Sequence, residues 1–507
     1  MFKTCFTSIA QAVFEHAQNH ETRHKLAIAD NENSFSYAEL KIEILDIARQ
    51  LRDLGVHSKR VMLEATPHAY VPAFYLALQL LDCTVIPFAK RAHNDTLNHF
   101  KNMSDADFYI ASEKLSFDLA GKLFSDFSTQ STPSDTKFTN YSFPDENKVT
   151  DIFFTSGTTG RSKAVPLTSL QIIGGACNTI NGGQKKISDV QLVTPPMYHA
   201  QAWQTIRGLL LLGASAIIGS GYTSSDDIIN NLKNYKCNAI NIVPSALKLM
   251  LNDLGDTFIS LMSNLDYIEV GTAPLDDNYK LKLLTLLPNT RLSINYGATE
   301  CARTVYSNLT STADNLKSLG KVVPGVEAAI FDDNWTDIKD THKVGRLAFK
   351  GTMVMNGYLK NPSASAEVLH DGWYISKDLA YLDHDNNLHL LGRIDDIINI
   401  GGEKLSPLEV ENVLSSLPGV EQVCCIGVPD PLSVLGEIPV LFYVGNDSID
   451  AATIKNEIRS HLDRFKRPKF IIKLDKLPVN AVSKIDRKKL REIWDKGYAQ
   501  KLMYSLS

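Results

Sequence analysis

The sequence has little of what would place it in several large classes of protein. Its seven cysteines are scattered, show no CxxC spacing and are odd in number, so neither a zinc site nor a disulfide framework is indicated. The most apolar run, residues 208–219, is shorter than the roughly 20 residues that span a bilayer. A net charge of −5 provides no overall field that would attract nucleic acid or an anionic membrane. Residues 1–18 lack the apolar core of a signal peptide, so we expect a cytoplasmic protein without a membrane span.

The composition is that of an enzyme-sized globular protein. The 507 residues are 44% hydrophobic and 21% charged, enough for one large lobe and a smaller one. Strand-like segments alternate with helical ones through much of the first 300 residues, which predicts mainly parallel sheets covered on both faces. Residues 345–400 read as a β-rich subdomain, and a compact pattern of helices and strands follows Pro407. The predicted fold class is α/β, with mixed or parallel sheets in a large N-terminal lobe and a small α+β C-terminal domain.

A change of composition near residues 393–395 separates these two parts. We therefore predict an N-terminal domain over residues 1–393 and a mobile C-terminal domain over residues 394–507.

Ser36 to Glu39 form a capping box that opens a helix. The helix carries an apolar stripe and ends at Gly55.

The stretch TDIFFTSGTTGRSKAVP, residues 150–166, joins a buried strand to a loop of hydroxyls and glycines. Glycines let backbone N–H groups turn towards a ligand, and the adjacent hydroxyls, Arg161 and Lys163 suit an anion. The loop does not fit the P-loop pattern, because Ser162, Lys163 and Ala164 stand where that pattern needs Gly, Lys and Ser or Thr. A polar surface turn is the alternative, and the loop alone does not decide between the two.

Other stretches carry polar groups where a core strand has no need of them. A strand-like segment, Arg291–Ile294, is followed by Asn295–Glu300, which supplies an aromatic ring, a glycine, a hydroxyl and a carboxylate; the carboxylate would suit Mg²⁺ bridging to phosphates. The alternative is a capped turn in which Thr299 and Glu300 start a helix. Asp378, Arg393 and Lys484 also follow strand-like or loop segments, and each of these residues alone is more often a solvated charge.

In their joint order these stretches resemble the adenylate-forming superfamily of acyl-CoA synthetases, peptide-synthetase adenylation domains and luciferases. TSGTTGRSK resembles the phosphate loop, NYGATE the adenine and Mg²⁺ motif, and WYISKDLA the ribose motif. GRIDDIINIGGEKLSPLEVE resembles the hinge and gate, and NAVSKIDRKKL the loop of the catalytic lysine. The resemblance extends from Ser36 to Leu490.

The resemblance implies a role for each matching residue. The β- and γ-phosphates of ATP would be held by Thr155, Ser156, Gly157, Thr158, Thr159, Gly160 and Lys163. Tyr296 would flank the adenine, Thr299 would contact the α-phosphate, and Glu300 would help to hold Mg²⁺. Asp378, assisted by Arg393, would bind the ribose hydroxyls. Asp395 would be the hinge, Gly401 and Gly402 the thiol gate, and Lys484 the catalytic lysine.

The acyl pocket is implied with less detail. Its residues would be His199, Trp203, Thr272, Ala273, Pro274, Gly297 and Ala298. Trp203 would shorten the pocket, although packing in the core of its helix is the commoner use of such a ring. We expect Arg207 on the surface of the same helix, which is commoner for an arginine than pairing with a second carboxylate.

The implied function is activation of a small carboxylic acid. ATP would convert the acid to an acyl-AMP with release of pyrophosphate, and the acyl group would pass to the thiol of coenzyme A. The alternatives are a stand-alone adenylating enzyme that loads a carrier-protein pantetheine in trans, and a catalytically silent nucleotide-binding scaffold. The implied cofactors are ATP, Mg²⁺ and coenzyme A, or pantetheine on a carrier protein. Ser162, Ser483 and Lys377 depart from the common motifs, and Lys377 replaces the usual glycine before the ribose aspartate.

Overall fold

The computed structural model describes most of the chain. The described residues are 1–116, 118–127, 138–155, 162–220, 225–401, 403–415, 417–430, 435–446, 448–479 and 485–499. None of the helices within these ranges is long and apolar enough to cross a membrane.

Helices occur throughout the described residues. The α-helices are α1 (Ile9–Gln18), α2 (Tyr37–Asp53), α3 (Tyr70–Leu80), α4 (Asn94–Ser104), α5 (Ser169–Gly182), α6 (Ala200–Leu212), α7 (Ser225–Asn234), α8 (Pro244–Leu254), α9 (Asp256–Met262), α10 (Asp277–Leu286), α11 (Pro362–Ala366), α12 (Pro407–Leu414), α13 (Ala451–His461) and α14 (Arg487–Trp494). Short 3₁₀ segments cover Phe124–Asp126, Ile394–Asp396 and Arg464–Lys466, and a π-helical turn covers Asp495–Ala499.

The strands build five sheets in the described part of the chain. In chain order they are β1 (Leu26–Ala29), β2 (Ser34–Ser36), β3 (Arg60–Glu64), β4 (Thr84–Phe88), β5 (Phe108–Ala111), β6 (Gly121–Leu123), β7 (Val149–Thr155), β8 (Lys163–Thr168), β9 (Val190–Val193), β10 (Ser215–Ile218), β11 (Ala239–Ile242), β12 (Tyr267–Val270), β13 (Arg291–Ala298), β14 (Ala302–Leu309), β15 (Lys321–Val322), β16 (Glu327–Phe331), β17 (Gly345–Lys350), β18 (Leu369–His370), β19 (Trp373–Leu382), β20 (Leu388–Arg393), β21 (Ile398–Ile400), β22 (Glu403–Leu405), β23 (Val420–Pro429), β24 (Glu437–Gly445) and β25 (Phe470–Lys473).

Local chemistry accounts for the helix that the sequence predicts most clearly. The Ser36 hydroxyl accepts a hydrogen bond from the Glu39 N–H, and the Glu39 carboxylate accepts one from the Ser36 N–H at 2.8 Å. This capping box satisfies two backbone donors that the first turn of α2 leaves unpaired. Of the predicted apolar stripe, Leu40, Ile44, Ile47 and Leu51 are fully buried, whereas Leu54, the C-cap residue, is 43% exposed. The predicted helix start and core face are confirmed.

Two large sheets form the N-terminal lobe. A six-stranded sheet has the order β6-β5-β3-β4-β7-β8, and a nine-stranded sheet has the order β15-β14-β13-β12-β11-β9-β10-β1-β2. One hydrophobic cluster joins the two sheets through α1, α2, α3, α5 and α6, and a second covers the opposite face of the nine-stranded sheet with α7, α8 and α10. The predicted arrangement of mixed and parallel sheets flanked by helices is confirmed.

Smaller units complete the chain. The strands β16 to β20 form the expected β-rich subdomain, which begins at Glu327 rather than at residue 345 because β16 pairs with β17. Beyond it, the three-stranded sheet β23-β24-β25 buries one face against α12 and α13 and the other against α14. This is the small α+β unit that the sequence predicts.

Two local features differ from their simplest sequence interpretation. The strand expected to end at Ile294 continues to Ala298 as β13 and pairs antiparallel with β14, so Thr299 and Glu300 lie in a hairpin turn and do not start a helix. The strand before the phosphate loop, β7, is parallel to β4 but antiparallel to β8. The end of β7 and the start of β8, on either side of the predicted phosphate loop, therefore pair with each other.

Candidate active site

A tyrosine and an aspartate from different sheets meet at the predicted nucleotide site. The Tyr296 hydroxyl, near the end of β13, donates a hydrogen bond to Asp378 on β19. Burial and the adjacent Asp378 charge raise the pKa of Tyr296 well above its usual value, so the phenol remains a donor. Asp378 pairs across the ladder with Arg393 on β20, whose Nε lies 4.0 Å from the carboxylate. The structure brings together Tyr296, Asp378 and Arg393, all three of which the sequence assigned to ATP.

Glu300 and Lys163 meet at a residue that the sequence did not single out. The Tyr358 hydroxyl donates a hydrogen bond of 2.9 Å to Glu300 Oε1, and the Lys163 ammonium lies 4.6 Å from the centre of the Tyr358 ring. Burial raises the pKa of Glu300, while the Tyr358 hydrogen bond and the charges of Lys163 and Arg393 oppose that rise. Tyr358 sits in an Asn-Gly-Tyr loop segment that carries no recognisable motif, so only the fold reveals this contact.

Thr155 and Lys163 mark the two ends of the phosphate loop. They are opposite each other in the β7–β8 ladder, and the Thr155 hydroxyl is 3.5 Å from the Lys163 carbonyl. The predicted phosphate ligands between Thr155 and Lys163 lie outside the described residues: Ser156, Gly157, Thr158, Thr159 and Gly160. Gly402 and Lys484, two predicted residues of the C-terminal domain, also lie outside them. Gly401 is described, and its φ of +61° is one that glycine adopts readily.

The hairpin that carries Glu300 needs a glycine at its base. A Cβ on Gly297 would lie 2.0 Å from the Ala302 carbonyl oxygen, so no other residue fits there without moving the backbone. Across the turn, Ala302 has a φ of +54°, which is uncommon for a residue other than glycine. Thr299 lines a cavity of about 20 Å³, the size of one water molecule, together with Gln204 and Arg207.

The predicted acyl-pocket residues lie at the ends of β12 and β13 and at the start of α6. His199 is the N-cap residue of α6, and its ring packs against Tyr198 at 4.3 Å between centroids. Thr272 follows β12 with a φ of +76°, an unfavourable conformation for a β-branched residue, and begins the Thr272–Pro274 turn. Ala298 is the last residue of β13, directly after Gly297.

Trp203 and Arg207 lie deeper in the lobe than a pocket wall requires. Trp203 is 1% exposed and packs on Tyr75 at 4.3 Å between ring centroids. Arg207 is also buried and forms an ion pair with Asp151 on β7, so the expected position on the helix surface is wrong. Its guanidinium stacks on the rings of Tyr75, Phe153 and Trp203. Core packing therefore accounts for Trp203, whose assignment to the acyl pocket stays a prediction.

Comparison with known protein families gives a match in both the N-terminal and the C-terminal part of the chain. Residues 14–359 match the AMP-binding enzyme family, and residues 409–484 match the AMP-binding enzyme C-terminal domain. The chain belongs to the AMP-binding enzyme family.

The relatives of this AMP-binding enzyme include acid–CoA ligases. A 2-succinylbenzoate–CoA ligase of Staphylococcus epidermidis is 27% identical over 483 residues, which cover 94% of this chain and 96% of the relative. A 2-succinylbenzoate–CoA ligase of Lactococcus lactis subsp. lactis is 31% identical over 356 residues, which cover 69% and 72%. Among solved structures, O-succinylbenzoate coenzyme A synthetase (MenE) from Bacillus subtilis with ATP and a magnesium ion has a TM-score of 0.83 at 22% identity, covering 95% of this chain and 99% of that one.

The same Bacillus subtilis enzyme has also been solved with its acyl-adenylate intermediate. This AMP-binding enzyme is accordingly an AMP-forming acid–CoA ligase.

The donor set of the AMP-binding enzyme fits a magnesium ion shared with phosphates. Within the described ranges no group of three or more His, Cys, Asp or Glu side chains could hold a metal, so this part of the chain offers no complete cage. Mg²⁺ typically uses one or two carboxylates and takes its other ligands from phosphate oxygens and water. Glu300 is such a carboxylate, only 8% exposed, with one oxygen fixed by Tyr358. A bound cation would also offset the cost of burying its charge.

The linker to the C-terminal part carries a set of charges close to the ribose aspartate. Lys377, next to Asp378, places its ammonium 3.0 Å from the Asp395 carboxylate. Arg393 lies between the two aspartates, 4.0 Å from Asp378 and 3.9 Å from Asp395. The lysine that departs from the common motif thus pairs with the predicted hinge residue.

Proposed function

We propose that this acid–CoA ligase activates its acid with the residues gathered around Tyr358, Tyr296 and Asp378. The meeting of Lys163 and Glu300 at Tyr358 is the observation that carries the proposal. A cation and a carboxylate from distant motifs are held together, where Lys163 would bind the β- and γ-phosphates of ATP and Glu300 would hold Mg²⁺.

In the first half-reaction a carboxylate oxygen of the acid attacks the α-phosphorus of ATP. The new O–P bond forms as the bond from the α-phosphorus to its bridging oxygen breaks, and pyrophosphate leaves with the electron pair. Thr155, Lys163 and loop residues 156–160 hold the leaving phosphates, and Thr299 contacts the α-phosphate. Lys484 bridges the two anions as they approach. Cations aimed at the developing charge lower this barrier more than they stabilise the bound substrates.

The nucleoside is held by the strands beside the hairpin. Asp378 accepts hydrogen bonds from the ribose hydroxyls, Arg393 fixes the carboxylate, and Tyr296 flanks the adenine. In the second half-reaction the thiol of coenzyme A attacks the acyl carbon, and AMP leaves. For that step we propose that residues 394–507 reorient about Asp395, which brings Gly401 and Gly402 to the pantetheine arm.

The acid binds between α6 and the ends of β12 and β13, lined by His199, Thr272–Pro274, Gly297 and Ala298. Because relatives that span most of the chain include 2-succinylbenzoate–CoA ligases, 2-succinylbenzoate is the first acid to test. Loading of a carrier-protein pantetheine in trans is the second candidate acceptor reaction. A cytoplasmic location stays a prediction from composition.

Acid-dependent exchange of pyrophosphate into ATP tests this function. We expect exchange with 2-succinylbenzoate or another member of a carboxylic acid panel, and its loss in Lys484→Ala. The released product should be the acyl-CoA when coenzyme A is supplied. Absence of exchange with every acid, or full exchange in the Lys484→Ala variant, would overturn the proposed function. Acylation of a carrier protein in preference to coenzyme A would establish the second candidate.

Lys163→Ala separates the two half-reactions. Because Lys163 is assigned to the leaving phosphates, the variant should slow pyrophosphate exchange by about 100-fold, the usual cost of removing one such charged contact. Transfer of the acyl group from preformed acyl-AMP to coenzyme A should stay within about threefold of wild type. Lys339→Ala, at a lysine that is 82% exposed, is the matched control and should change neither rate. Equal slowing of both half-reactions by Lys163→Ala would contradict the assignment.

A further inference from the structure

A row of buried polar side chains crosses the nine-stranded sheet beneath α6. Each of five neighbouring strands, β9, β11, β12, β13 and β14, contributes one residue to the row, and none of the five is more than 8% exposed. They are Gln191, Asn241, Glu269, Asn295 and Arg303. Buried strands of a parallel sheet are usually apolar on both faces, so this row needs an explanation.

Glu269 lies at the centre of the row and is saturated with hydrogen bonds. Its carboxylate accepts from Lys185 at 2.8 Å, from Gln191 at 2.9 Å and from Arg303 at 2.6 Å. Tyr306 and Asn295 donate to it from 3.2 Å and 3.4 Å. A carboxylate held by five donors has no capacity left for a ligand, but it fixes the Arg303 guanidinium in place.

Arg303 crosses the end of the sheet at the predicted acyl pocket. Its Cα is the ladder partner of Gly297, and its Nη2 reaches α6, where it donates to the Thr205 hydroxyl at 2.7 Å and to the Gln201 carbonyl at 3.1 Å. Gln201 is two residues beyond His199. The arginine side chain therefore forms a polar floor between Gly297 on β13 and the first turn of α6.

Two donors on this floor have no hydrogen-bond partner among the described residues. Arg303 Nε and the side-chain amide nitrogen of Gln201 are both buried and unpaired. Buried polar groups are nearly always hydrogen-bonded, and an unpaired donor costs about 1–3 kcal/mol. Since both groups are N–H donors, the missing partner is a hydrogen-bond acceptor.

We propose that Arg303 and Gln201 determine the specificity of the ligase for acids whose second acceptor group is a carboxylate. The carboxylate that reacts with ATP lies towards Thr299, and the second carboxylate of the same acid accepts from Arg303 Nε and the Gln201 amide. Glu269 is a positioning residue, which acts by holding Arg303. This inference rests on the proposed placement of the acid between α6 and β13.

Pairs of acids that differ by one acceptor test the proposal on the full-length enzyme. One pair is 2-succinylbenzoate and 4-oxo-4-phenylbutanoate, which lacks the ring carboxylate, and the other is glutarate and butanoate. Binding of each acid is measured by calorimetry with AMP present, and kcat and KM are measured by pyrophosphate exchange. The variants are Gln201→Leu and Arg303→Lys, with Gln18→Leu, an exposed glutamine on α1, as the matched control.

Wild-type enzyme should prefer the acid with the second acceptor by at least tenfold in Kd or in kcat/KM. Gln201→Leu should reduce this preference at least threefold through the Kd or KM of the acid, and should leave the KM of ATP and the monocarboxylic acids within twofold. Arg303→Lys also disturbs the ion pair with Glu269, and this variant could therefore fail to fold. In that case the result for Gln201→Leu decides the outcome. Gln18→Leu should behave as wild type.

The possible results separate this inference from the proposed function. Exchange activity without a preference, or a preference that Gln201→Leu leaves unchanged, overturns the inference and leaves the proposed function standing. A binding preference without exchange activity supports the inference and overturns the proposed function. If none of the four acids binds and none supports exchange, the inferred specificity is wrong. The proposed placement of the acid between α6 and β13 is then wrong as well.

Discussion

Glu300 is the residue whose environment is most clearly fitted to a ligand. Its carboxylate is buried beside Tyr358, within the field of Lys163 and Arg393. Burial raises its pKa above the ordinary 4.5, so without a ligand the folded protein keeps this proton to higher pH than the unfolded chain does. The stability of the unliganded protein therefore falls as the pH rises above 4.5, until Glu300 is ionised in both states.

Glu300→Gln should make the unliganded protein more stable and the enzyme less active. The variant should melt at a higher temperature than unliganded wild type at pH 8, and the difference should shrink towards pH 5, because the amide has no charge to bury. Pyrophosphate exchange should fall by about 100-fold, since the proposed metal ligand is lost. Tm measured across this pH range, with exchange assayed in parallel, checks both expectations. A variant that is less stable than wild type at pH 8 would contradict the assignment of a buried charge.

Lys377→Gly tests the residue that departs from the common ribose motif. Lys377 is not among the described residues with positive φ, so its backbone does not need glycine, and its ammonium pairs with Asp395. Both partners are partly exposed, and such ion pairs contribute about 0.2–1 kcal/mol. We expect the KM of ATP to change less than tenfold, with the larger effect on the thiol half-reaction. Collapse of ATP binding would show instead that Lys377 contacts the nucleotide.

At the scale of elements, the β13–β14 hairpin is decided by contacts that local sequence does not contain. The alternation of residues 291–294 predicts a strand, but its extension to Ala298 depends on pairing with β14. That pairing brings the Ala302 carbonyl against Gly297 and turns Glu300 towards Tyr358. Helix α2, by contrast, forms where the sequence predicts because its capping box is contained in four residues.

Gly297→Ala should damage this hairpin. The added methyl would lie 2.0 Å from the Ala302 oxygen, and relieving that overlap should cost about 1–3 kcal/mol of unfolding free energy and displace Glu300. Urea denaturation and magnesium-dependent exchange measure the two effects. Gly497→Ala is the control, because no atom lies within 4 Å of its added Cβ, and it should be within about 0.5 kcal/mol of wild type. A stable and fully active Gly297→Ala variant would show that the turn can relax.

At the scale of the whole molecule, buried charges tie distant parts of the chain together. Glu269, Arg303 and Lys185 come from two strands and a loop and have almost no exposed side-chain surface. Asp151 and Arg207, 56 residues apart, join β7 of the six-stranded sheet to α6. Such pairs stabilise little relative to apolar packing, but breaking one leaves an uncompensated charge in the core.

The acid sensitivity of the fold should depend on Glu269. Burial alone would raise its pKa, but the charges of Arg303 and Lys185 hold the pKa of Glu269 at about 2. A depressed pKa gives stability that is present above the ordinary value of 4.5 and is lost as the pH falls towards 2. Glu269→Gln should be less stable than wild type by about 3–5 kcal/mol at pH 7, and the gap should narrow between pH 4.5 and pH 2. Urea unfolding at several pH values measures this, and a constant gap would contradict the assigned pKa.

The sequence by itself determined the features that depend on neighbours along the chain. Helix caps, apolar stripes and the alternation of strands and helices involve residues a few positions apart, so the fold class and most elements could be predicted. The candidate site residues that the structure brings together could be chosen because their motifs are contiguous: Tyr296, Asp378, Arg393, Glu300 and Lys163.

Tertiary structure alone decided which side chains meet. Tyr358 bridges to Glu300 over 58 residues, and Arg207 reaches Asp151 over 56, through sheet register and helix packing that no local pattern specifies. The same holds for the polar row on the nine-stranded sheet, where single polar residues in otherwise apolar strands have meaning only once the strands lie side by side. The unpaired donors of Arg303 and Gln201 exist for this reason, because burial and lack of a partner are properties of the folded chain.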